Sequence, residues 1–433
     1  MHGLRARRPA AALPAAPSPT AGGQAPEGHG TRRSWALLVL LSVAQFMVIL
    51  DATVVNVALP SIGRSLHFAP GGLQWVVTAY VLASGGLVLA GGRAADLAGR
   101  RRMFLAGLAV FTAASLASGL AVSPAALIAA RAGQGVGAAL LTPAALSIIT
   151  TAYAGAQRAT ALATWGALGG AGAAAGVLAG GVLTTWLGWR SVFLVNVPVG
   201  AAAGLLSLRL VPRHSAPRRA AGPLLPPGLW RSRSLVAGVL IMFGATGLLV
   251  GTFFLNSLYL QGVQHASALR TGLEFLPLAL VIGASAHLGA RLLPAAGTRV
   301  MITAGLVLMG GGALLLTGVA PGSGFLAGVL PGLLVIGAGT GLVLPGASVT
   351  ALSGVAASEA GAASGLMTAA HEIGAAVGVA VFTAAGVAVT GGVAAGYRHG
   401  FAVAAALAAG LAVTAAILVP AVRPAPGAPM AVH

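Results

Sequence analysis

From Trp35 almost to Pro420 the sequence is a succession of apolar runs, parted by short polar, glycine-rich or proline-rich breaks. About 20 helical residues cross the roughly 30 Å hydrocarbon core of a bilayer, and each run is about that long. No interval between runs is long enough to build a core in water. Charged residues make up only 7% of the 433, against roughly a quarter in soluble domains, so lipid is the solvent this chain is suited to. A transmembrane strand would show about ten residues of alternating polarity, whereas these runs are unbroken. The 65 glycines and still more abundant alanines let helix backbones approach closely in lipid. The fold class expected is an all-α membrane protein.

Reading the runs between their breaks predicts helices near 35–58, 73–92, 102–122, 124–150, 162–187 and 191–211, then near 234–258, 271–292, 299–319, 326–350, 362–389 and 399–420. The expected organisation is a disordered cytoplasmic tail over 1–34, a six-helix bundle over 35–211, and a linker over 212–233. A second six-helix bundle follows over 234–420, then a tail over 421–433. The first 34 residues have no apolar segment of the kind a cleaved signal needs. The linker holds Arg213, Arg218, Arg219, Arg231 and Arg233 among prolines, too polar to insert.

The formal charge of +18 comes from 24 arginines, with no lysine, against six acidic residues. These arginines fall in tails and short loops without interleaved aromatics, which argues against a nucleic-acid partner. With the N-terminus inside and an even helix count, Arg100, Arg101, Arg102, Arg158, the linker arginines, Arg291, Arg299 and Arg423 lie on one face. Only Arg64, Arg190, Arg270 and Arg398 lie on the other. That asymmetry predicts a multi-pass protein of the inner (plasma) membrane with both termini cytoplasmic. The absence of cysteine excludes disulfides and thiolate chemistry. No histidine or acid has metal-ligand spacing, and no phosphate-binding loop with its lysine is present.

The chain echoes itself at a spacing near 200. Gly99-Arg-Arg-Arg-Met103-Phe-Leu-Ala-Gly107-Leu resembles Gly297-Thr-Arg-Val-Met301-Ile-Thr-Ala-Gly305-Leu, and Gly172-Ala-Ala-Ala-Gly176-Val resembles Gly374-Ala-Ala-Val-Gly378-Val. Six helices separate the members of each pair, so both copies keep one orientation, as in a parallel repeat around a transport pathway.

Several motifs carry a family resemblance. Gly92-Arg-Ala-Ala-Asp96-Leu-Ala-Gly99-Arg100-Arg101 is similar to the loop signature of the major facilitator superfamily. Its glycines permit a tight turn, and Asp96 can accept hydrogen bonds from an arginine or a helix N-terminus, which would latch the loop face. Leu50-Asp51-Ala-Thr-Val-Val-Asn56-Val-Ala-Leu-Pro60, Trp75-Val-Val-Thr-Ala-Tyr80 and Trp189-Arg-Ser-Val-Phe-Leu-Val-Asn196 resemble the EmrB/QacA-like drug:proton antiporters within it. Arg131-Ala-Gly-Gln134-Gly-Val-Gly137 is similar to the intramembrane arginine motif. Gly172, Gly176, Gly180 and Gly181 match the antiporter motif, with Val177 where the family usually has proline. The resemblance implies a major-facilitator fold of twelve helices, two fewer than that subfamily usually has.

Charges inside a bilayer cost at least about 2.5 kcal/mol even on insertion scales, so each is a functional candidate. Counting from the predicted helix ends puts Asp51 and Arg131 at matching depths of roughly 10 Å, and we expect them to meet in a central cavity as a proton-sensitive pair. A permanent pair that merely fixes two helices is the alternative. His371 and Glu372 fall near mid-membrane and form a second proton-relay candidate, since an imidazole titrates near neutrality. Glu274 lies close to a helix end. Gln45, Asn56, Phe254, Asn256 and Tyr259, on the first helices of the two halves, are the candidate substrate contacts.

Together these features predict a monomeric secondary transporter that exports small amphipathic compounds such as drugs or antibiotics, with protons as coupling ion and no cofactor. A dedicated exporter of an endogenous metabolite, an uptake symporter and a transport-inactive membrane sensor are the rival readings. Without a clustered Ser/His/Asp or metal constellation, no enzyme activity is expected.

Overall fold

The computed structural model describes residues 27–69, 71–153, 155–211, 227–319, 322–355, 359–387 and 393–423. The proposed tails over 1–26 and 424–433, and most of the linker, 212–226, lie outside the described residues. The helices are α1 (Glu27–Leu66), α2 (Trp75–Ala98), α3 (Arg100–Gly119), α4 (Pro124–Ala152), α5 (Gly155–Trp186), α6 (Ser191–Leu210, interrupted at Val195), α7 (Arg233–Gly262), α8 (Ala268–Ala296), α9 (Thr298–Thr317), α10 (Phe325–Leu352), α11 (Ala360–Val387) and α12 (Val393–Leu418). Eleven of them, all but α5, are long and apolar enough among the described residues to cross a membrane. The 32-residue α5 packs between α1 and α8.

Three boundaries correct the sequence reading. The first helix starts at Glu27, inside the stretch expected to be a tail, and continues past the predicted end at 58 to Leu66, through Pro60. The polar linker gives way at Pro227–Arg231 to a 3₁₀ turn that leads into α7. Hydropathy marks only the part of a helix that lies in hydrocarbon, so helices that project beyond it are read short. Prolines 143, 277 and 345 are likewise enclosed within helices, as neighbouring helices in a membrane protein allow.

Local chemistry sets several helix starts. Ser123, Ser232 and Ser267 cap α4, α7 and α8 by accepting from the amides of Ala126, Leu235 and Arg270 at 3.2–3.3 Å. Gly99 and Gly297, at φ +98° and +80°, make the abrupt turns from α2 to α3 and from α8 to α9, a conformation that other residues resist. Those two glycines are 198 residues apart, as are His67 and His265, both at φ +53° beyond the ends of α1 and α7.

The repeat is structural. Helix α1 packs on α5 as α7 packs on α11, and α3 on α4 as α9 on α10. The echoed glycines make these crossings. A Cβ at Gly172 would fall 2.8 Å from the Ile49 side chain, and Gly374 and Gly378 press on the backbone of Phe243 and Gly247. Gly107 abuts Leu141 N and Gly137 O, as Gly305 abuts Val343 and Gly339 O. Arg101 donates to Leu208 O at the end of α6 (2.6 Å), and Arg299 donates to Val419 O just beyond α12 (2.6 Å). Each satisfies an orphan carbonyl at a helix C-terminus.

Among the described residues the two sets of six helices meet through α2–α11, α5–α8, α1–α7 and α1–α8. Gly99, Gly297 and Val422 define the terminal end of the bundle, where Thr298 N bonds Val422 O at 2.9 Å. At the opposite, distal end the halves are sealed. Gly181 abuts Leu269 Cα and Gly272 abuts Val177 O, Leu269 N donates to Thr185 Oγ1 at 3.2 Å, and α7 bonds α1. The α2–α11 seam starts near mid-helix at Ser84 and Gly85 and runs terminalward to Leu89 and Gly365. Helices α4 and α5 make no extended contact with α10 or α11 among the described residues.

Candidate functional site

Asp51 and Arg131 form an ion pair, Arg131 Nη1 to Asp51 Oδ2, with both side chains fully buried. The other carboxylate oxygen accepts from Asn196 Nδ2 at 2.7 Å and Gln134 Nε2 at 2.9 Å. Gln134 in turn accepts from Arg131 Nη1 (3.0 Å) and Ser118 Oγ (3.1 Å) and donates to Ser115 Oγ (2.8 Å). Arg131 Nε donates to Val76 O at 2.8 Å, and its guanidinium lies 4.4 Å from the Tyr80 ring centroid and 5.8 Å from that of Phe193. Helices α1, α2, α3, α4 and α6 thus each give at least one group to a single polar cluster. An ion pair out of water is tolerated only where the remaining lone pairs and protons find partners, and here the cluster supplies them for all but Arg131 Nη2.

This geometry corrects the depth argument. Asp51 is near the middle of α1, not close to its end, because that helix reaches Leu66; Arg131 is seven residues into α4, which starts at Pro124. The two meet because α1 overhangs at the distal end. They are enclosed inside the first six helices and do not line an open passage. Asn196 begins the long segment of α6 at the interruption after Leu194, which brings its side chain to the carboxylate.

His371 and Glu372 project from α11 to different neighbours. Glu372 Oε2 accepts from Ser84 Oγ of α2 at 3.1 Å, across the two halves, and His371 Nδ1 lies 3.2 Å from Thr246 Oγ1 of α7. A Cβ at Gly85 would fall 2.5 Å from Glu372 Cβ, so that glycine is what lets α11 come so close. Ser84 is one turn beyond Tyr80, which covers Arg131, so one face of α2 touches both the charged cluster and the seam. Glu274 pairs with Arg270 on its own helix at 2.8 Å.

The loop signature is placed differently from its expectation. Gly99 makes the turn and Gly92 faces Pro143, but Asp96 is exposed. Arg100 is half-buried, and Arg101 ties α3 to α6; that bond holds the loop where Asp96 was expected to.

Gly172, Gly176 and Gly180 press on α1 along Ile49, Thr53 and Val54, whereas Gly181 faces α8 of the other half. The substrate candidates are buried in packing. Gln45 accepts from Thr142 Oγ1 at 3.0 Å. Asn56 and Asn256 each donate to the carbonyl one turn back, at 3.1 and 2.9 Å, and each keeps a buried, unpartnered Oδ1. Phe254 inserts among Val54, Phe193 and Val379, and Tyr259 stacks edge-on against Tyr397. Sequence reasoning left out the roles of Gln134, Asn196, Ser115 and Ser84. Gln134 is one turn from Arg131 and Asn196 is an amide inside an apolar run, and both were signals that could have been followed.

Among the described residues, twelve helices in two like-oriented sets, sealed at one end and holding a buried acid–arginine cluster, define a polytopic transporter fold. The chain belongs to the Major Facilitator Superfamily, whose family model matches residues 41–379. It is similar to the puromycin resistance protein pur8 of Streptomyces alboniger (38% identical, covering 81% of each chain). It is also similar to the cephamycin export protein CmcT of Amycolatopsis lactamdurans (40%, covering 80% of this chain and 84% of that one). The multidrug resistance protein Stp of Mycobacterium tuberculosis is 32% identical, over 78% of this chain and 73% of that one. In fold it matches a bacterial homolog of the human lysosomal transporter Spinster in an inward-facing, occupied conformation, with TM-score 0.73 and 19% identity, covering 92% and 98% of the two chains. A mutant form of the nucleoside transporter NupG matches with TM-score 0.71 and 12% identity, over 88% and 98%. The chain is therefore a membrane transporter, not an enzyme, and its relatives are antibiotic resistance and export proteins.

Proposed function

We propose that this chain is a proton-driven exporter of small amphipathic compounds that works by alternating access in the plasma membrane. On this reading it acts as a single chain, with the terminal end and both termini in the cytoplasm. The observation that carries the coupling is the buried Asp51 carboxylate, held by Arg131, Gln134 and Asn196. Proton binding there removes the charge that Arg131 answers and releases the guanidinium toward its remaining partners, Val76 O, Gln134 and Tyr80. A ligand moves a two-state equilibrium only by its differential affinity for the states, and a proton on Asp51 differs between them if the cluster is rearranged when the halves rock. Helix α2 supports such a link, because it touches the cluster at Tyr80 and the inter-half seam at Ser84–Glu372. That the relatives are a puromycin resistance, a cephamycin export and a multidrug resistance protein favours export over uptake, and drugs or antibiotics as the class of substrate.

The test is efflux of a fluorescent dye in everted vesicles energised by a proton gradient, with and without a protonophore. Export reads as dye accumulation inside the vesicles, abolished by the protonophore. Accumulation that persists after the gradient collapses would reject proton coupling, and gradient-driven movement out of the vesicles would replace export by uptake.

A further inference from the structure

The distal seal between α1 and α7 has an unusual chemistry. Pro60 lies inside α1 and has no N–H, so the carbonyl of Asn56, four residues earlier, has no donor within its own helix. Ser257 Oγ of α7 donates to that carbonyl at 2.7 Å. One turn on, Gln261 Nε2 donates to the neighbouring Val57 O at 3.0 Å and lies 3.4 Å from Ser257 Oγ. Ser257 is fully buried and Gln261 nearly so, and Val57 inserts its side chain into the core of the second half.

We infer that Ser257, supported by Gln261, is the latch that holds the distal side shut by completing the carbonyl that Pro60 leaves bare. In the closed state Ser257 is fully buried, so the bond is shielded from exchange with solvent and counts in full. When the halves part at this end, water reaches the carbonyl and the bond is exchanged at little loss. The hydroxyl therefore favours the closed state selectively. Two like-facing carbonyls on one helix, met by two side chains spaced i and i+4 on the other, also fix the register in which the halves close. The inference rests on the alternating-access reading above and on its assignment of the distal end to the outside.

The absence of native cysteine makes the test direct. A Val57→Cys reporter in intact cells is treated with a membrane-impermeant maleimide, and its labelling rate reports how often the distal side opens. Leu187→Cys, at an exposed distal position, controls for reagent access. Ser257→Ala leaves a buried acceptor bare in the closed state, which shifts such an equilibrium about five- to a hundredfold, so labelling should rise at least about fivefold. Ser257→Thr keeps the hydroxyl and should stay near the parent. In a Pro60→Ala background the new amide can return to Asn56 O, and the effect of Ser257→Ala should shrink to about twofold or less. Equal labelling with and without Ser257→Ala, or an equal increase in both backgrounds, would overturn the latch. Dye export measured in parallel separates the two ideas. A chain that exports against a gradient yet shows no effect of Ser257→Ala loses only the latch. One that never concentrates dye loses the transport reading, while the labelling comparison still decides the latch.

Discussion

Replacing Asp51 by Asn changes two atoms' chemistry and almost none of their volume, and the surrounding hydrogen bonds say what must follow. The carboxylate accepts from three donors, Arg131 on one oxygen and Gln134 and Asn196 on the other. An amide offers one oxygen. Turned toward Gln134 and Asn196, it points its own N–H₂ at a guanidinium; turned toward Arg131, it points N–H₂ at two other amides. Either way a buried donor faces a donor, and Arg131 keeps its charge with no counter-ion. Removing one partner of a buried pair costs about 3–5 kcal/mol, so the purified variant should melt at a lower temperature while still inserting, since α1 has become less polar. Transport gives the sharper reading. One charge moving through 100 mV supplies about 2.3 kcal/mol, which sustains a concentration ratio of roughly fifty per proton for a neutral substrate. With no titratable group at position 51 that ratio should collapse to about one, leaving only downhill dye exchange. Everted vesicles with an imposed gradient read both quantities. An Asp51→Asn form that still concentrates dye near the wild-type ratio would refute the coupling role and leave the cluster as a helix clamp.

Three further outcomes are expected. Glu372→Gln keeps an acceptor for Ser84 Oγ and should change the melting temperature little, but it removes an ionisable group from the seam and should lower the steady-state dye ratio; an unchanged ratio takes Glu372 out of the coupling path. Gly180→Leu forces a side chain against Val54, where even a Cβ would lie 2.8 Å from the Val54 carbonyl oxygen, and overpacking of this kind costs about 1–3 kcal/mol, read as loss of folded protein on heating in detergent. Arg299→Ala removes the 2.6 Å bond to Val419 O and should weaken the closure of α12 on α9 by about 0.5–1.5 kcal/mol, seen as faster proteolysis after residue 420 with little change in export.

Much of this was open to reading because lipid imposes so few solutions. The apolar runs predicted the twelve helices of the described residues, and the glycine echoes at 99/297, 107/305, 172/374 and 176/378 each mark a place where one helix crosses another or turns sharply. Sequence distance between Asp51 and Arg131 concealed nothing, since an isolated acid and an isolated base in hydrocarbon must find partners. The depth of Asp51, unlike that of Arg131, was misjudged because hydropathy is blind to the end of α1 around and beyond Pro60. Asp96 misled for a different reason. A motif names residues that can bond, while the backbone decides which do, and here Arg101 reaches the end of α6 and Asp96 faces out. The uncharged members of the site, Ser115, Asn196 and Ser84, were hard to see because a hydroxyl or an amide in a membrane helix commonly bonds its own backbone, as Thr53, Ser285 and Thr340 do.

The halves share a fold and divide the chemistry. Helix crossings repeat almost residue for residue, yet at the repeat spacing of 198–202 Asp51, Arg131 and Gln134 are answered in the second half by Leu249, Leu333 and Ile336, all in apolar packing. A symmetric pair of charged clusters would double the burial cost without adding a path between the ends. One cluster inside one half can instead act on the other half through the helices that touch it. Helix α2 meets α11 at Ser84 and Glu372, and α1, which carries Asp51, meets α7 at Asn56 and Val57. The first of these seams runs from mid-membrane toward the terminal end and the second closes the distal end. A change at Asp51 therefore lies close to both of these seams, and less than two turns of α1 separate it from the carbonyl that Pro60 exposes.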